Sequence, residues 1–181
     1  MKKVINDTLI ISKINLLSLR ESFVAFTIIS LFIPLGMTYL ISLASPVWNL
    51  NTTVNYLTGM LVLSSSLIIV NGIGQIVAQD RLSGVLSWYR TLPVHPASYI
   101  LGVTSTYLMA TLAECIMLIP IASILWRLSL TITIIGVIII IIIIESLALI
   151  GIGAIIGTRT KSIQASSALT NLLSFIIAFA T

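Results

Sequence analysis

An all-α, polytopic integral membrane protein with about five spans and its N-terminus on the cytoplasmic side is the fold class that this sequence predicts. Three observations predict it. Hydrophobic residues make up 58% of the 181 positions and charged residues 8%, against about 45–50% and about 25% in an ordinary soluble domain. The apolar residues gather into five runs, each close to the ~20 residues a helix needs to cross about 30 Å of hydrocarbon. The nine lysines and arginines lie scattered at the edges of those runs. They form no dense patch with interleaved aromatics, so the net charge of +4 reports membrane topology and speaks against nucleic acid as a partner.

Residues 1–20 place Lys2, Lys3, Asp7, Lys13 and Arg20 on one arc of a helical wheel, with Ile10, Ile14 and Leu17 intruding on it. This predicts an interfacial helix held between lipid and a partner. A basic signal peptide is the competing reading of Met1, Lys2 and Lys3, but the apolar run after Glu21 starts too late and runs too long for one. Residues 23–43 are the first span, with Pro34 and Gly36 as its expected kink. The loop that follows carries no charge and sets Trp48 and Tyr56 near the boundaries, where interfacial aromatics sit. Asn51, Thr52 and Thr53 form a glycosylation sequon by pattern alone.

The second span is 56–78, and it delivers the chain to QDRLSGVLSWYRTLPVHPAS, residues 79–98, the one sizeable charged interval between two long apolar runs. At helical spacing Leu82, Val85, Leu86, Tyr89 and Leu92 share a face, while Asp80, Arg81, Ser83, Ser87, Arg90 and Thr91 fall mainly elsewhere. The pattern predicts a short amphipathic surface helix, stopped by Pro93 and Pro96. The third span is 99–119, ended by Pro120. The fourth, 132–156, contains seven successive isoleucines and at about 37 Å is expected to tilt. Arg159 and Lys161 mark the next short loop, and 163–181 is the fifth run. If the N-terminus is inside, Lys2, Lys3, Lys13, Arg20, Arg81, Arg90, Arg159 and Lys161 are inside and Arg127 alone is outside. That asymmetry orients the chain and puts 79–98 in the cytoplasm.

Within the spans, Gly153 and Gly157 form a G-x-x-x-G pair suited to close helix packing, although such pairs also arise by chance. Gly151, Gly153 and Gly157 have no preceding strand and so do not form a dinucleotide loop. Glu114 and Glu145 each cost about 2.5–3.5 kcal/mol to insert near the centre of a bilayer. Either they line a polar route for a cationic or protonated group, or each is neutral or paired, Glu114 with Arg127. Glu145, nearer mid-span, is the stronger candidate. Catalysis finds no footing: His95 and Cys115 are the single histidine and cysteine, too few for a zinc cluster or an activated nucleophile. Nor is there a Gly-x-x-x-x-Gly-Lys-Ser/Thr loop to cradle phosphates.

The residues Asp80, Arg81, Gly84, Leu86, Leu92, Pro93, Val94, Tyr99, Leu101 and Gly102 stand in a pattern that resembles the membrane subunit of type-2 ABC exporters. The stretch 151–180 resembles the end of that family's fourth span, its basic loop and the start of its fifth. The resemblance implies a permease that binds no cofactor itself and pairs with a second permease copy, in a homo- or heterodimer in the cell membrane. ATP and magnesium would be bound by a separate ABC ATPase subunit, and Asp80, Arg81, Gly84, Leu86 and Pro93 would belong to the cytoplasmic segment that touches it. Ser87 stands where the family often carries glutamate. The family continues through a re-entrant segment and a sixth span, so on this resemblance the chain ends before the last span. Two other readings are an ion- or proton-coupled carrier using Glu114 and Glu145, and a non-transporting, truncated scaffold.

Overall fold

The computed structural model describes residues 2–21, 23–44, 50–89, 91–126 and 131–180. The expectations for Trp48, Arg90 and Arg127 lie outside the described residues. Helices account for nearly all of the rest, and no strand occurs among them: α1 (Lys2–Glu21), α2 (Phe23–Ala44), α3 (Leu50–Ser66), a π-helical turn (Leu67–Asn71), α4 (Gly72–Leu82), α5 (Val85–Tyr89), α6 (Pro96–Trp126), α7 (Ile132–Arg159) and α8 (Ile163–Ala180). The class is all-α.

Three helical stretches among the described residues are long and apolar enough to cross a membrane: Thr53–Leu82, Pro96–Trp126 and Ile132–Arg159. Pro34–Leu43 and Ile163–Ile177 are shorter apolar helices. The outer faces of these helices are largely apolar. Ile116, Ile124, Leu125, Ile132, Ile140 and Ile144 are all exposed on α6 and α7, while Ser65, Thr106, Thr111 and Ser146 are fully buried. So continuous an apolar exterior is compatible with a membrane surrounding. The buried hydroxyls close on their own helices, Thr106 Oγ1 donating to the Gly102 carbonyl at 2.8 Å and Thr111 Oγ1 to the Tyr107 carbonyl at 2.9 Å.

Pro120 does not end its helix where the sequence pattern places the end: α6 runs through it to Trp126. Pro34 lies inside α2, in the run where a kink is expected. In hydrocarbon an ended helix would strand its backbone groups, whereas a continued one loses a single hydrogen bond. Side-chain hydroxyls take up nearby carbonyls: Thr38 Oγ1 donates to Pro34 O at 2.7 Å and Ser123 Oγ to Ile119 O at 2.7 Å.

The stretch that holds the expected second span is one helical path from Leu50 to Leu82, widened by the π turn in its middle. Three serines lead into that turn, and each donates to the carbonyl three residues back: Ser64 to Leu61, Ser65 to Val62 and Ser66 to Leu63. Such bonds compete with the ordinary ladder and loosen it. On the far side the Gly72 amide is shared between Ile68 and Ile69 carbonyls. The extra residue re-phases the helix, so that Asn71 and Gln75 face α8. Asn71 Nδ2 donates to Asn171 Oδ1 at 2.7 Å, Thr170 Oγ1 donates to Asn71 Oδ1 at 2.9 Å, and Gln75 Nε2 donates to Asn71 Oδ1 at 2.6 Å. This polar ladder fastens α8 to the middle of the bundle.

Two apolar clusters make the interior. One joins Leu57, Leu61, Leu118, Ile119, Ile138 and Ile142 from α3, α6 and α7; the other joins Ile69, Val70, Ile73, Val103 and Leu149 around the π turn. Between α4 and α7 the backbones come close. A Cβ on Gly157 would lie 2.6 Å from the Gly74 carbonyl oxygen, and one on Gly153 would lie 3.0 Å from that of Val70. α1 lies along α6. Ser98 Oγ donates to Val4 O and Thr106 Oγ1 to Ser12 O, two contacts with the same separation of 94 residues, so the two helices run parallel.

Candidate functional site

The charged interval is where the structure departs most from a simple amphipathic helix. α4 carries the chain through Asp80 and Arg81 to Leu82, then breaks at Ser83 and Gly84; α5 is only Val85–Tyr89. Gly84 is the cause, with φ at +81°, in the left-handed region that other L-residues enter at a cost of roughly 1–2 kcal/mol. Ser83 Oγ turns back to the Gln79 carbonyl at 2.8 Å. The wheel that groups Leu82 with Val85 and Leu86 assumes an unbroken helix, and the break leaves Leu82 exposed and Leu86 half-buried. A turn over residues 91–93 follows, and α6 begins at Pro96, where the missing amide is harmless. His95 caps it, Nδ1 accepting from the Ala97 amide at 3.2 Å.

Asp80 and Arg81 make no ion pair with one another. Asp80 Oδ2 accepts a 2.7 Å hydrogen bond from the Tyr99 hydroxyl on α6. Arg81 Nη2 donates to the carbonyl of Thr160, the residue that closes the C-terminus of α7. That terminus carries unpaired carbonyls and partial negative charge, which a guanidinium complements. Two adjacent charges thus tie the end of α4 to two different helices. Tyr99 also stacks on Tyr89 of α5, ring centroids 5.5 Å apart and tilted at 54°. The tyrosine therefore holds both limbs of the 79–98 hairpin.

The tip of the hairpin faces outward. Ser83, Gly84, Ser87, Trp88 and Pro93 are exposed, and Trp88 keeps 62% of its surface free while its ring leans on Tyr89. An exposed tryptophan on a rigid hairpin is the kind of side chain that anchors a protein interface. The wheel missed it because Trp88 falls off the face that Leu82, Val85, Leu86 and Tyr89 share.

A second polar site lies between α3, α6 and α7. Glu145 Oε2 accepts from Ser65 Oγ at 3.0 Å, and its Oε1 has no hydrogen-bond partner. Glu114 is 4% exposed, with Ser64 beside it and neither carboxylate oxygen within hydrogen-bond geometry of a partner. The two glutamates thus reach the same turn of α3 from two helices. Mid-span position made Glu145 the stronger candidate, yet Glu114 is the more deeply enclosed. Among the described residues no group of three or more histidine, cysteine or acidic side chains is placed to hold a metal. Gly153 and Gly157 belong to the α4–α7 contact and lie outside both polar sites.

A third feature is an apolar cleft of about 720 Å³ between α2 and the end of α6, lined by Leu31, Phe32, Leu35, Tyr39, Leu125 and Trp126 among others. With its almost wholly apolar lining it suits acyl chains and carries no chemistry. Compared with protein-family models, with curated proteins and with solved structures, the chain matches none, so its functional reading rests on the residues just described.

Proposed function

We propose that this chain is the permease subunit of an ATP-driven exporter of the type-2 ABC kind, moving its cargo with energy from a separate ATPase. The observation that carries the reading is the hairpin of residues 79–98, whose exposed tip is joined rigidly to α6 through Asp80 and Tyr99 and to α7 through Arg81 and Thr160. A push on Trp88 or Ser87 is then a push on three long helices at once. In this proposal the chain makes five spans, with α2 and α8 as the first and fifth, and its N-terminus and hairpin lie in the cytoplasm of a cell membrane. The distribution of basic residues supports that orientation. ATP and magnesium act on the partner, and a second permease copy completes the pathway. The bistable element is the packing of one span bundle against the other.

Single cysteines at Ser87 and at Trp88 test the proposal, since both are exposed and the native Cys115 is buried. They are expected to cross-link to an ATPase subunit in the complete complex, while a cysteine at half-buried Leu86 does so poorly. Arg81 is engaged with Thr160 and is expected to be a poor cross-linking site too. Failure of Ser87 and Trp88 alike would sink the reading.

A specific observation favours a second reading, that of an ion- or proton-coupled carrier: the pair Glu114 and Glu145 converging on Ser64 and Ser65 with unpartnered oxygens. Transport that continues without ATP and is lost in Glu145→Gln would put this reading ahead.

A further inference from the structure

A groove of about 320 Å³ lies beside the π turn, between α1, α4 and α6, and its polar lining is Asn15, Ser18, Asn71, Gln75, Gln79 and Tyr107. Its volume falls at the lower end of the ~300–1,000 Å³ range of small-molecule sites. We infer that this groove binds an uncharged, hydroxyl-rich group, a sugar or polyol head, independently of how the chain is energised.

The chemistry of the lining selects that class. Four of the six polar groups are carboxamides, and together they leave both donors and acceptors free for a hydroxyl: Asn71 keeps one Nδ2 hydrogen and Gln75 its Oε1, while the other bonds of these two are made to one another and to α8. No charged side chain lines the groove. The two charges next in sequence to Gln79 are engaged elsewhere, Asp80 with Tyr99 and Arg81 with Thr160. An anionic or cationic head would enter without a counter-charge, at a desolvation cost nothing here offsets. A neutral polyol meets matching partners instead. Tyr107 supplies an aromatic ring, held in place because Gly72 has no side chain; a Cβ there would run into the ring.

Asn15 lines the groove and carries an unpartnered donor. The Asn15 amide nitrogen is buried and has no hydrogen-bond partner, and an orphaned buried donor calls for a partner that the protein itself does not supply. Gln75 and Asn71, across the groove, are already oriented by each other and by Asn171, Ser167 and Thr170 on α8. Their positions are thus set before anything binds. A π turn is a frequent device at functional sites, and here it brings Asn71 and Gln75 onto the groove. Ser18 and Gln79 are exposed and mark its mouth, so a ligand is admitted at the Gln79 end of the helix and reaches inward toward Leu67.

The test uses the full chain in phosphatidylcholine nanodiscs doped equally with monoglucosyl diacylglycerol and phosphatidylglycerol of the same acyl chains, with retained lipid identified by native mass spectrometry. Preferential retention of the glucolipid is expected, falling about three- to tenfold in Asn15→Leu, the loss of one net hydrogen bond. Ser18→Leu and Gln79→Leu, at exposed positions that leave folding alone, are expected to lower it as well. Methyl glucoside in solution separates the sources: competition assigns the site to soluble sugars, and no competition assigns it to lipid heads. Equal retention of the two lipids, retention set by acyl chain alone, or retention unchanged in the exposed-site variants would overturn the proposal and leave a groove that holds only water.

Discussion

The Tyr99 hydroxyl donates a 2.7 Å hydrogen bond to Asp80 Oδ2 across the base of the 79–98 hairpin, while the same ring stacks on Tyr89. One side chain therefore sets the position of Asp80 and of α5 together. Its two functions can be separated, because phenylalanine keeps the ring contact and removes the hydroxyl. Tyr99→Phe leaves the partly buried Asp80 carboxylate without this donor and is expected to destabilise the folded chain by about 1–3 kcal/mol. Asp80→Asn, whose amide oxygen still accepts the bond, is expected to cost less. Thermal unfolding in nanodiscs checks the order, and Asp80→Asn costing as much as Tyr99→Phe would show that the bond does not hold the hairpin.

Gly84 predicts a different pattern. At φ +81°, alanine is expected to cost roughly 1–2 kcal/mol and proline more, since its ring fixes φ near −65°. Asparagine, which enters the left-handed region more readily than other side-chain-bearing residues, is expected to retain most of the stability. No atom lies within 4 Å of a Cβ placed there, so crowding plays no part and only backbone conformation is measured. On the ABC reading proposed above, Gly84→Pro in the complete complex is expected to uncouple ATP hydrolysis from transport while insertion stays normal. Alanine and asparagine behaving alike would show that the turn does not need the positive φ.

How far these features were legible in the sequence depends on the range of the forces involved. The apolar runs foretell α6, α7 and the Leu50–Leu82 path, because in hydrocarbon a backbone must satisfy itself and length follows from bilayer thickness. Helix ends were less legible: Pro120 reads as a stop by the rules of water, where freed carbonyls are solvated. The π turn left no periodic trace, since Ser64, Ser65 and Ser66 read as ordinary small polar residues until their hydroxyls are seen folded onto the preceding turn. Nothing in the sequence names the partner of Arg81, which lies 79 residues away. The relative enclosure of Glu114 and Glu145 depends on which helix covers each, which position along a span does not report.

The α4–α7 contact provides its own control. Gly157 meets the Gly74 carbonyl so closely that a Cβ would lie 2.6 Å from it, while a Cβ on Gly151, on the same helix, meets nothing within 4 Å. Gly157→Ala must push two backbones apart and is expected to destabilise by about 1–3 kcal/mol. Gly151→Ala is expected to be neutral or slightly stabilising, since alanine is the better helix former. Equal unfolding midpoints for the two variants would mean that the helices are not held at this distance.

The glutamates make the last prediction, because stability and function pull on them in opposite directions. Glu114 is enclosed with both oxygens unpartnered, and Glu145 has one oxygen on Ser65 and one free. Where a buried polar group has no partner, removing it relieves a desolvation cost of about 1–3 kcal/mol, more for a charged group. Glu114→Leu is therefore expected to raise the unfolding midpoint, and Glu145→Leu to raise it less, because it also loses the hydrogen bond from Ser65. If transport survives both changes, the pair is only a burden carried inside the bundle. If the stabilised Glu114→Leu protein no longer transports, the unpartnered oxygens were being kept for a passing cation or proton, and the cost of burying them is the cost of that site. Measuring the midpoint and the transport rate on the same preparations decides between these outcomes, and a fall in midpoint for Glu114→Leu would refute the premise that its carboxylate lacks a partner.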